Sequence, residues 1–82
     1  MNNNTIKSIL IKSIDLKNIY VTGDNNHIEI IAIGDIFLNM SKVKRQQTIY
    51  LPLMQYFSNQ LIHAISIKTY TTTEWIKQKN KI

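Results

Sequence analysis

The chain has 82 residues, a formal net charge of +5 from 10 Lys and Arg against 5 Asp and Glu, and no cysteine. That length supports one small domain, residues 1–82, with a single modest core. Without cysteine, disulfides, thiolate zinc sites and a self-contained cysteine-ligated iron–sulfur centre are excluded, so any metal is held by imidazole or carboxylate, or with ligands lent by a partner.

In chain order, Thr5 is a candidate N-cap, and Ile6, Ile9, Leu10 and Ile14 recur at helical spacing, which predicts an amphipathic helix over 5–15. The opening MNNNTIKSIL lacks the continuous apolar run of a secretory signal, and no stretch approaches the ~18 apolar residues of a membrane span. A soluble cytoplasmic chain is expected. Asn18 to Thr22 and His27 to Ile33 are β-branched runs around the turn-forming Gly23-Asp24-Asn25-Asn26, and they read as an antiparallel hairpin. The second run is apolar on both faces from Ile30 onward, as expected of a central strand. Gly34 to Asn39 connects to a long helix beginning near Lys42 with Ser41 as its cap. Its expected apolar stripe is Val43, Gln47, Tyr50, Met54, Phe57 and Leu61. Pro52 cannot donate to the carbonyl of Thr48, which predicts a kink or two consecutive helices. Ile62 to Tyr70 reads as a third strand. Thr71-Thr72-Thr73-Glu74 then has capping-box spacing and opens a last short helix, with Trp75 as a buried anchor and residues 77–82 fraying.

The order helix, strand, strand, helix, strand, helix describes an α+β domain with a three-stranded mixed sheet. A helical crossover makes the second and third strands parallel, so both begin at the same end of the sheet. His27 starts one and His63 the other, in step with Ile65 and Ile67. At a strand spacing of ~4.8 Å the two imidazoles can reach one small site if register and facing agree. Each also has a bland reading: His63 as a satisfied structural histidine, His27 as a solvated turn residue. A converging imidazole pair suits iron, copper or zinc, but two ligands are too few for a tight site without a partner.

Lys42, Lys44 and Arg45 crowd the start of the long helix, where cations oppose the dipole. They read as contacts for phosphate or an acidic protein, or as a solvated charged face. Abundant Ile, Asn and Lys fit a codon drift toward A and T, which weakens the charge as a sign of nucleic acid. The serines lack a base-and-orienter pattern and the five carboxylates are scattered, so neither catalysis nor a small-molecule substrate is expected. The element order resembles a KH-type RNA module, but with only Gly23 and Gly34 the chain has no GXXG loop.

The segments HIEIIAIGDIF, MSKVKRQQTIYLPLM and especially IHAISIKTYTTTEW resemble the BolA family, most closely its YrbA branch, over nearly the whole chain. The resemblance implies an αββαβα domain similar to a type II KH fold, and a monothiol glutaredoxin as partner. It implies a two-iron two-sulfur cluster shared with that partner, which supplies a cysteine and the thiol of glutathione. His63 would be the matching ligand here, and His27 the residue in the region of the family's second ligand. An imidazole in place of a thiolate raises cluster potential. Two departures stand out: Asn39 where relatives carry glycine, still tolerant of a left-handed backbone, and Thr72 where relatives often carry proline. Some relatives are described as DNA-binding regulators in stress responses, a role that here would fall on Lys42, Lys44 and Arg45.

Overall fold

The computed structural model describes residues 3–24, 26–58 and 64–80. Its elements are α1 (Asn3–Ser13), β1 (Asn18–Asp24), β2 (His27–Ile33), a 3-10 turn (Asp35–Phe37), α2 (Lys42–Met54), β3 (Ile65–Tyr70) and α3 (Thr72–Lys79). The sheet order is β1-β2-β3. β1 and β2 are antiparallel, with Asn18 opposite Ile33 and Asp24 opposite His27; β2 and β3 are parallel, with Ile28 opposite Ile65 and Ile33 opposite Tyr70. The mixed α+β sheet with β2 at its centre is the expected one.

One face of the sheet carries the core. Ile19, Ile28, Ile30, Ala32, Ile65 and Ile67 meet Ile6, Leu10 and Ile14 from α1, Ile49 and Leu53 from α2, and Phe37 from the 3-10 turn. Alternation along β2 explains the selection: even-numbered residues face the helices and odd-numbered ones the other side.

Several local expectations are corrected. α1 begins at Asn3, so Thr5 lies inside the helix and is not its cap. The hairpin strands run on through Gly23 and Asp24. In α2 the buried residues are Ile49 and Leu53, whereas Val43 and Met54 are 68% and 52% exposed. The inward stripe is therefore rotated from the expected one, with Arg45 rather than Val43 beginning it, although Tyr50 and Phe57 of the expected set do pack, partly buried, against the core. Ser41 does cap the helix, its Oγ accepting from the Lys44 N–H at 3.1 Å. α2 passes through Pro52 and stops two residues later, as a residue with no N–H to donate favours. The third strand starts at Ile65, with Ala64 in a turn; Leu61, Ile62 and His63 lie outside the described residues. α3 is helical through Lys79. Asn39 adopts φ 64°, the left-handed conformation expected of it.

The last helix is attached in an unexpected way. It contains no fully buried residue. Trp75 is only half-buried, on the sheet face opposite the core, where its ring lies 5.9 Å from Tyr20 and 5.3 Å from Tyr70. The capping box is complete: Thr71 Oγ1 accepts from the Glu74 N–H at 3.2 Å, and Glu74 Oε1 accepts from the Thr71 N–H at 2.8 Å. The Thr72 N–H also donates to Asp35 Oδ1 of the 3-10 turn at 3.1 Å.

Candidate functional site

The end of the sheet where β2 and β3 begin is built around His27. Asp24 Oδ1 accepts from the backbone N–H groups of Asn26 at 2.9 Å and His27 at 3.3 Å, which fixes the hairpin. Gly23 sits at φ +100°, and a Cβ on it would run into the His27 carbonyl oxygen. Only glycine fits there. The backbone of His27 is thus held from two sides.

Its side chain is exposed and shares the sheet face of Glu29 and Ile31, away from the core. His27 Nε2 lies 3.2 Å from Ser66 Oγ on β3, and Lys68 Nζ lies 3.8 Å from Glu29 Oε1. This face is divided. One end holds the polar set His27, Glu29, Ser66 and Lys68, and the other holds Tyr20, Tyr70 and Trp75 around a buried Ile33. The Ser66 contact occupies Nε2 and leaves Nδ1 of His27 as the nitrogen open to a ligand.

His63 lies outside the described residues. The chain leading into β3 is described from Ala64, whose carbonyl accepts from the Ile28 N–H at 3.0 Å. The parallel register itself begins with Ile28 opposite Ile65.

The basic trio does not act as a unit. Lys42 and Lys44 are exposed. Arg45 is engaged: its Nη1 and Nη2 donate to the two carboxylate oxygens of Glu74 at 2.8 and 3.4 Å, and its Nε donates to the Met40 carbonyl at 3.2 Å. The arginine side chain is 14% exposed. Its guanidinium, followed by the Thr71 N–H, holds the Glu74 carboxyl below the usual carboxylate range. Arg45 therefore fastens α3 to α2, and the cations left for a phosphate or an acidic protein at this helix start are Lys42 and Lys44. Sequence reading missed Ser66 and the second role of Glu74. Ser66 was detectable once β2 and β3 were taken as parallel; the Arg45–Glu74 pair, 29 residues apart, left no local sign.

Among the described residues no three His, Asp or Glu side chains converge on one point where a metal could sit. The exposed His27 imidazole is therefore not part of such a cluster among the described residues. No described helix is long and apolar enough to cross a membrane.

Residues 8–74 match the family model of BolA-like protein. The chain is 47% identical over 79 residues to the acid stress protein IbaG of Escherichia coli K12, covering 96% of this chain and 94% of that protein. The fold is similar to a bolA protein homologue from Coxiella burnetii, with TM-score 0.75 and 27% identity over 93% of this chain and 97% of the other. It is also similar to yeast Fra2, with TM-score 0.64 and 28% identity over 98% and 81% of the two chains.

Proposed function

From the premise that the chain belongs to the BolA-like protein family, we propose that it is a non-catalytic partner of a monothiol glutaredoxin that completes the coordination of a bridging two-iron two-sulfur cluster. The glutaredoxin would supply its active-site cysteine and the thiol of bound glutathione. His63 would be the principal ligand from this chain and His27 the second. The observation that supports the reading is the parallel pairing of β2 and β3, which begins with Ile28 opposite Ile65 and brings the start of β2 at His27 and the chain entering β3 at Ala64 to one sheet end; His63 precedes Ala64 in the sequence.

The donor chemistry fits. Imidazole is an accepted iron ligand, and in a chain without cysteine it is the strongest donor available to iron. His27 is exposed, Ser66 orients its ring from β3 as outer hydrogen bonds orient metal-bound histidines, and Gly23 with Asp24 fixes its backbone. A cluster held this way would serve iron–sulfur trafficking or the sensing of iron or stress, and the acid-stress name of the Escherichia coli relative supports the stress branch of that choice.

The test is to mix the purified chain with cluster-loaded glutaredoxin and record visible circular dichroism. A changed spectrum is expected, lost in His63→Ala and altered or weakened in His27→Ala. Iron and acid-labile sulfide should be found in the isolated pair. An unchanged wild-type spectrum would end the proposal.

A further inference from the structure

The outer edge of β3 is a separate feature, independent of the histidines. β3 is an edge strand. Its even-numbered residues bond inward to β2: the Ala64 carbonyl accepts from the Ile28 N–H, and the Tyr70 carbonyl from the Gly34 N–H. In a parallel ladder that alternation turns the backbone groups of Ile65, Ile67 and Thr69 outward. Two of the outward carbonyls are covered from α2, Ile65 by the Tyr50 hydroxyl at 3.3 Å and Ile67 by Gln46 Nε2 at 3.5 Å. The outward N–H groups of Ile67 and Thr69 have no acceptor among the described residues.

These groups lie in a groove between α2 and α3, lined among others by Lys42, Gln46, Ile67, Thr69, Lys77 and Gln78. Lys42 on one wall and Lys77 on the other are both exposed, and neither has an acidic partner among the described residues. Glu74 also reaches the groove, but Arg45 neutralises it. The groove is therefore positive and offers two donors, two residues apart on a straight strand.

We infer that this edge accepts an extended acidic peptide segment of a partner protein, which adds a fourth strand beside β3. Alternate carbonyls of such a segment repeat every ~6.6 Å, the spacing of the Ile67 and Thr69 N–H groups. Its carboxylates would meet Lys42 and Lys77. A single-stranded nucleic acid also carries negative charge, but it is gripped largely by stacking of bases on free aromatic rings. Among the described residues, the one aromatic residue lining this groove is Tyr70, whose ring already packs on Trp75. The pattern of donors and charges favours the peptide.

The experiment titrates the nitrogen-15-labelled full chain with a blocked hexapeptide Val-Val-Asp-Asp-Val-Val, whose adjacent aspartates point to opposite faces of an added strand, one toward Lys42 and one toward Lys77. Saturable amide shifts centred on Ile67 and Thr69 are expected, with slowed solvent exchange at those two amides. The Lys42→Glu, Lys77→Glu double variant, altered only at exposed positions, should keep the wild-type melting curve and bind about tenfold more weakly. The same peptide with asparagine for aspartate should weaken to a similar extent. The inference is overturned if no saturation occurs up to millimolar peptide, if the shifts centre elsewhere, or if an oligothymidylate occupies the same two amides and displaces the peptide.

Discussion

The attachment of α3 invites a double-mutant cycle on Arg45→Met and Glu74→Gln. The helix brings no fully buried side chain to the body of the protein, so its docking relies on the Trp75 ring contacts, the Thr72–Asp35 bond and the Arg45–Glu74 pair. A hydrogen bond to a charged group is worth about 1.5–3 kcal/mol when well desolvated. Arg45 is largely shielded, but the Glu74 side chain is 46% exposed, and water competing there reduces the expected coupling to about 1 kcal/mol. For a chain of this size that corresponds to a melting shift of about 4–8 °C. Gln at position 74 keeps an acceptor for the Thr71 N–H, so the cycle isolates the ionic contribution and leaves the cap in place. Urea denaturation at pH 7, followed by circular dichroism and by fluorescence of Trp75, the one tryptophan in the chain, gives the coupling energy. The folded-state pKa of Glu74 is depressed. The stabilisation it brings is thus fully present above the ordinary carboxyl pKa of about 4.3 and is lost as pH falls through the folded-state value. Coupling should therefore shrink when the cycle is repeated at successively lower pH below the ordinary carboxyl value. A coupling below about 0.3 kcal/mol at pH 7 would refute the assignment of Arg45 as the fastener of α3.

Gly23→Ala should destabilise the fold by about 2 kcal/mol, because a side chain is forced into a left-handed conformation against the His27 carbonyl; denaturation measures the loss, and amide shifts should concentrate at His27 and Ile28. Ile49→Ala should cost about 2–5 kcal/mol while Val43→Ser stays within about 0.5 kcal/mol, and equal costs in urea titrations would contradict the observed rotation of α2. Thr71→Ala should cost about 1 kcal/mol by removing the acceptor for the Glu74 N–H. Its hydrogen-exchange signature should be faster exchange confined to the first turn of α3.

The strands of the hairpin were legible because the β-branched runs on either side of the turn leave little choice of element, although β1 proved to continue through Gly23 and Asp24, and because Ile30 to Ile33 suit a central strand. The last helix start was legible for a local reason: Thr71 and Glu74 satisfy each other's backbone within four residues. The rotation of α2 was not. Apolar side chains surround that helix, with Val43, Leu51 and Met54 exposed as well as Ile49 and Leu53 buried, so spacing admitted more than one stripe. Arg45 was misjudged because a charge reads as solvated until its partner is seen, and Glu74 is supplied by another helix. Trp75 was rightly tied to the last helix but assigned to burial, because nothing in EW distinguishes insertion into a core from packing between two tyrosines. At the candidate site the position of His27 at the start of β2 was legible, whereas its facing and its contact with Ser66 required the register.

Because α3 is held by side-chain clasps and not by buried aliphatic surface, the chain has a natural line of partial opening. Release of that helix would bare the Tyr20 and Tyr70 rings that Trp75 packs on while leaving the Ile6–Leu10–Phe37–Leu53 interior closed. A truncation before Thr72, or a bulky fusion that lifts the C-terminus, would convert a sociable surface into an adhesive one without unfolding the protein, so self-association in such a product would signal an undone clasp and not a failed core.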